Sequence, residues 1–106
     1  MNRMEALVAQ RTESRHRTAA ERAADIQESA RACGIEITLV GSLARNDFQL
    51  HSDIDLLVRG AINTTKRILV ERLVADHLRD VGIAYDLIFE ADMTEERVKE
   101  LLNDRV

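Results

Sequence analysis

The sequence predicts an α/β chain of the α+β type: a small mixed β-sheet of three to four strands with helices packed against it, preceded by a long N-terminal helix. Three observations lead there. Residues 1–33 contain neither Gly nor Pro and keep helical spacing through their second half. Beyond Gly34, short β-branched runs alternate with helix-period segments. Glycines at 34, 60 and 82 then fall at the breaks between these segments, where the chain must change direction.

Taken in order, the first element is a helix over residues 1–33, with Gly34 in the position just past its end. Leu7 and Val8 begin its apolar face; Ala19, Ala20, Ala23, Ala24, Ile26 and Ala30 continue it. Gln10 to Thr18 contain no apolar residue, so residues 19–33 are expected to pack on the domain, while residues 1–18 project or dock elsewhere. A solvated helix held by charge pairs and a surface for a partner or a second copy both fit that polar stretch. Ile35–Val40 reads as the first strand, Asp53–Val58 as the second and Ala84–Phe89 as the third. Residues 64–81 read as an amphipathic helix burying Ile68, Leu69, Val70, Leu73, Val74, His77, Leu78 and Val81, with Arg67 among the water-facing residues. Thr94 caps a last helix whose first turn carries Glu95 and Glu96 and whose inner face carries Val98, Leu101 and Leu102. The expected organisation is one domain over 1–106, made of the helix 1–33 and a core over 34–106.

Composition narrows the classes. An apolar content of 45% suits a globular chain, and three aromatic residues, Phe48, Tyr85 and Phe89, require an aliphatic core. The formal charge of −4 argues against a nucleic-acid coat, so no direct nucleic-acid binding is expected. The charge is unevenly placed: residues 1–33 are net +1 and residues 34–106 net −5. The single cysteine, Cys33, rules out an internal disulfide and fits a reducing, cytoplasmic setting; as a small residue near a helix end it is expected to be packed. No apolar run is long enough for a membrane span and no signal peptide is visible.

The chemistry concentrates in Gly41-Ser42, ten intervening residues and Asp53-Ile54-Asp55. Side chains alternate along a strand, so Asp53 and Asp55 emerge on one face while Ile54, Leu56 and Val58 anchor the other. Two carboxylates so spaced suit a pair of Mg²⁺ ions about 3.5–4 Å apart, and magnesium needs few protein ligands when substrate phosphates supply the rest. Asp86 shares a face with Ile88 and Glu90 on the third strand. If that strand neighbours the second, Asp86 reaches the same site as a third ligand or as a base for an acceptor hydroxyl. Gly41 lets backbone N–H groups approach a phosphate, Ser42 adds a hydroxyl, and Arg45 adds positive charge for a leaving pyrophosphate. Each piece has an ordinary reading as a turn or a solvated acid. The conjunction is what points to nucleotide chemistry, because Asp is poorly suited to strands. Of the histidines, His77 reads as a packed side chain, His16 as exposed and His51 as a loop residue.

The stretches Leu39–Asp47 and Ser52–Val58 together resemble the signature of the DNA polymerase β-like nucleotidyltransferases, strongest over residues 35–59, extending through Asp86 and covering the chain from about residue 19. The short length resembles the minimal nucleotidyltransferase (MNT) branch, in particular the MNT antitoxins paired with HEPN toxins. The resemblance implies ATP as substrate, Mg²⁺ as cofactor, Gly41 and Ser42 as the phosphate-binding pair, and Asp53, Asp55 and Asp86 as metal-binding and catalytic carboxylates. It further implies AMP transfer to a hydroxyl, a tyrosine on the HEPN partner, and a stable complex with that partner. Members often carry Gly where this chain has Asn46, a residue that tolerates left-handed backbone. Larger members have a second domain that selects the acceptor, and this sequence shows none; acceptor recognition is then expected from a partner, a second copy or the N-terminal helix. Two alternatives stay open at this stage: an antitoxin that neutralises by binding alone, and an aminoglycoside-type enzyme working as a homodimer.

Overall fold

The computed structural model describes residues 2–103. A 30-residue helix α1 (Arg3–Ala32) leads into strand β1 (Ile37–Val40) and a single helical turn α2 (Gly41–Ala44). Strand β2 (Ile54–Val58), helix α3 (Thr64–Leu78), strand β3 (Tyr85–Phe89) and helix α4 (Glu95–Asn103) complete the order, with a 3₁₀ turn over Glu90–Asp92. The sheet runs β1-β2-β3, with β1 antiparallel to β2 and β2 parallel to β3. A parallel pair needs a crossover, and α3 provides it.

Both ends of α1 are finished by local hydrogen bonding. Asn2 Oδ1 accepts the Glu5 N–H at 2.8 Å while the Asn2 N–H donates to the Glu5 carboxylate at 3.2 Å, a capping box. At the other end the Ile35 N–H reaches the Ala30 carbonyl and the Gly34 N–H that of Arg31, with Gly34 at φ +75°. That is a Schellman closure, and the buried pair Ala30 and Ile35 supplies its apolar contact. A helix of this length spans about 45 Å at 1.5 Å per residue.

The sheet has two unequal faces. Ile54, Leu56 and Val58 of β2 join Ile37 and Phe89 on the face covered by α1 and α3, where Ala19, Ala23, Ile26 and Ala30 are buried beside Val70, Val74 and Leu78. The other face carries Val40, Leu57 and Ile88 and is covered by α4 through Val98, Leu101 and Leu102. Thr94 does cap α4, its hydroxyl accepting the Arg97 N–H at 3.2 Å. The small side chains of α1 let it pack closely, so its buried stripe is narrower than expected: Ala20 and Ala24 are exposed. For the same reason α3 buries only one narrow stripe, and Ile68 and Leu69 face solvent at 47% and 41% exposure.

Other expectations are corrected in detail. The strands begin at Ile37, Ile54 and Tyr85, one or two residues later than read, and α3 ends at Leu78. Cys33 is exposed, because it caps α1 on the side away from the core. His16 is half-buried, its ring tilted 6.1 Å from that of the buried Phe48. The polar stretch of α1 therefore docks on the domain itself over its last residues, where Arg15 also donates to the Gly82 carbonyl at 3.2 Å. Arg67 is half-buried too: its guanidinium lies 4.1 Å from the Phe89 ring centroid and makes two bonds of 2.8 and 2.9 Å to Asp92. His77 is partly buried as expected, its Nδ1–H donating to the Leu73 carbonyl at 2.8 Å. Among the described residues no helix is long and apolar enough to cross a membrane.

Candidate functional site

The end of the sheet where β1 finishes and β2 and β3 begin gathers the charged residues. Val40 pairs across with Asp55, and Asp55 is the register partner of Asp86 on the parallel neighbour. Strands two and three are thus adjacent, and two carboxylates stand side by side on the α4 face of the sheet. Asp53 sits just before β2 and is exposed, as is Asp86, whereas Asp55 is half-buried. Ile54 donates its N–H to the Ala84 carbonyl at 3.0 Å, tying the start of β2 to the lead-in of β3.

The proximity has an electrostatic consequence. The Asp55 carboxyl is held above the ordinary carboxylate range first by burial, then by the negative charges of Asp86 and Asp53, with Arg45 pulling the other way. Three residues singled out in the sequence, Asp86, Asp53 and Arg45, therefore act on the Asp55 carboxyl. Arg45 is also engaged by Asp47 at 3.5 Å, a loop contact with no recognisable sequence signal.

Gly41 has a role that sequence reading missed. It adopts φ +73°, and a Cβ built there would strike the Asp55 carboxylate, with Cγ at 3.1 Å and Oδ2 closer still. Glycine is needed to let the Asp55 carboxylate lie against the backbone at the start of α2. Ser42 follows it, half-buried. The N-cap position of α2 is Val40, which offers no side-chain acceptor, so the first amides of that turn lack a capping partner. Asn46 adopts φ +62°, the left-handed backbone that Asn tolerates and Gly would also serve.

The residues fit a divalent cation in one sense and leave it open in another. Three acidic side chains gather at one strand end, and the Asp55 carboxyl, raised first by burial and then by the charges of Asp86 and Asp53, is one that a cation would help to ionise. Among the described residues no three His, Cys, Asp or Glu side chains close into a ready-made metal centre. Magnesium bound by a few carboxylates together with substrate phosphates needs no closed centre.

A family profile described as nucleotidyltransferase domain matches residues 19–106. The chain belongs to the nucleotidyltransferase domain family, and its compact arrangement is that of a minimal domain of this type. Among curated proteins none matches it. The match begins within α1, so residues 1–18 lie outside the matched region, while every acidic and glycine residue of the site lies inside it.

Proposed function

We propose that this chain transfers AMP from ATP, with Mg²⁺, to a hydroxyl of a partner protein, and that the partner is a HEPN-type toxin modified on tyrosine and thereby silenced. The observation that carries the reading is the side-by-side placement of Asp55 and Asp86, with Asp53 beside them and Gly41 against Asp55. Asp53 and Asp55 would hold the cation, with Asp86 as the third carboxylate; the bound cation supplies charge neutralisation at the phosphates. Gly41, Ser42 and the uncapped amides of α2 bind the phosphate oxygens, and Arg45 faces the leaving end.

In the reaction the acceptor oxygen forms a bond to the α-phosphorus as the bond from that phosphorus to the bridging oxygen breaks, and pyrophosphate leaves. Asp86, exposed at the rim, is placed to take the acceptor proton. A protein acceptor is favoured because Asp53 and Asp86 are exposed at the strand end, where a side chain of a partner can approach them.

The test is intact-mass analysis of the protein encoded next to this one, after incubation with this chain, Mg²⁺ and ATP, beside an Asp53→Asn, Asp55→Asn control. One or more added AMP masses that vanish in the control is the expected result. A tight complex with no added mass in either sample would replace this reading with an antitoxin that acts by binding alone.

A further inference from the structure

The geometry points to the free edge of β1 as a docking groove for an extended segment of a partner protein, which adds there as a fourth strand and carries an acidic side chain. This does not depend on the nucleotidyl-transfer reading.

The hydrogen-bond register defines the edge. The Arg59 N–H donates to the Glu36 carbonyl at 2.9 Å, so residues 36 and 59 form a bonded pair. Antiparallel pairs alternate, and with Thr38 opposite Leu57 and Val40 opposite Asp55, those two pairs are bonded as well. Ile37 and Leu39 then turn their N–H and C=O groups outward, away from β2. One of those groups shows what the edge accepts: the Ile37 carbonyl takes a hydrogen bond of 3.0 Å from the Gln27 side-chain amide, a donor chemically like a backbone N–H. The Leu39 N–H and C=O and the Ile37 N–H remain directed at the open side.

That open side is a groove of about 750 Å³. Residues 35–39 form its floor, Gln27 and Arg31 of α1 one wall, and Leu43 and Ala44 of α2 its far end. A second copy of this chain is a poor occupant. Its own β1 lies on the floor of an identical walled groove, and two floors cannot meet. A single extended segment enters without that obstruction, about 4.8 Å from β1.

Charge selects the segment's character. Arg31 and Arg59 line the groove against one acid, Glu36. Arg59 is engaged by Glu90 at 3.2 Å, whereas Arg31 is exposed and has no acidic partner among the described residues. A carboxylate on the added strand would complete it. Because β1 runs directly into Gly41 and Ser42, a segment held here is brought alongside the helical turn α2.

The experiment is amide hydrogen exchange read by NMR on the whole chain. The probes are hexapeptides of alternating Thr and Val, blocked at both ends, with Glu replacing Thr at each position in turn, at millimolar concentration. At least one peptide is expected to slow exchange at Ile37 and Leu39 by about tenfold while Thr38 and Val40, already paired with β2, stay unchanged. N-methylation of the peptide on its edge-facing residues should abolish the effect, and Arg31→Glu, a surface change, should weaken it by about tenfold. No slowing with any peptide, or equal slowing with the N-methylated ones, overturns the proposal. Slowing that grows with protein concentration in the absence of peptide also overturns it, in favour of a second copy.

Discussion

Replacing Gly41 by Ala separates two costs that the structure places at one residue. The backbone there is left-handed at φ +73°, which costs a residue with a Cβ about 1–2 kcal/mol. The new Cβ also meets the Asp55 carboxylate, whose Cγ would lie 3.1 Å away, so the carboxylate must move. Forcing its side chain off its rotamer to clear the new Cβ adds a further cost, on the order of 1 kcal/mol. Urea unfolding should therefore show a loss of about 2–3 kcal/mol for Gly41→Ala alone, and only the backbone share when Asp55→Ala has removed the obstructing carboxylate. The same displacement, about an ångström at a reacting site, should lower nucleotidyl transfer by roughly 10²-fold. If Gly41→Ala costs the same stability in both backgrounds, the contact with Asp55 is not what demands glycine, and that account of the site is wrong.

Asp55 should trade stability for function. Its carboxyl is held above the usual range by burial and by Asp86 and Asp53, so its ionised form opposes folding: the stability it contributes is present below the unfolded pKa and is lost as pH rises through the folded one. Asp55→Asn is thus expected to raise Tm at neutral pH while abolishing transfer, and a lower Tm would contradict the reading of a repulsive cluster. Glu90 behaves in the opposite sense. The Gly60 N–H first, then Arg59, hold its carboxyl below the usual range, so its stabilisation is present above the unfolded pKa and is lost as pH falls through the folded one. Glu90→Gln should flatten the acid limb of a stability profile, which unfolding at stepped pH would detect. On α1, Ala23→Leu should cost about 1–3 kcal/mol in urea by overfilling the contact with α3 and the sheet, whereas Ala24→Leu on the exposed side should stay within about 0.5 kcal/mol. Equal costs at the two positions would mean that the buried stripe has been misplaced.

The element order, the strand faces and the candidate acids were legible because they rest on local rules. Alternation puts Ile54, Leu56 and Val58 on one face and Asp55 on the other whatever the rest of the fold does. Gly34 announces the end of α1 because its left-handed backbone closes a Schellman motif within five residues of sequence. Asn46 was read as able to replace glycine, and its φ of +62° agrees.

What escaped the sequence depends on what lies across from each residue. Ile68 and Leu69 look like core on a helical wheel, but α3 meets its neighbours along one narrow stripe, and only packing determines how wide that stripe is. His16 reads as exposed because residues 10–18 contain nothing apolar; its neighbour Phe48, and the Gly82 carbonyl that Arg15 reaches, are brought in from distant parts of the chain. Arg67 counts as surface until Phe89 and Asp92 arrive from another element.

The sequence by itself picked out the residues proposed to carry the chemistry, since Gly-Ser and Asp-x-Asp at their spacing are a property of the chain, and the family profile spans the region that holds them, residues 19–106. Only the tertiary structure decided that Asp86 stands beside Asp55, that Gly41 is glycine partly because of Asp55, and that the edge of β1 is open. Each of those facts is a relation between strands, set by register and crossover, and register is invisible until the faces of the sheet have been buried.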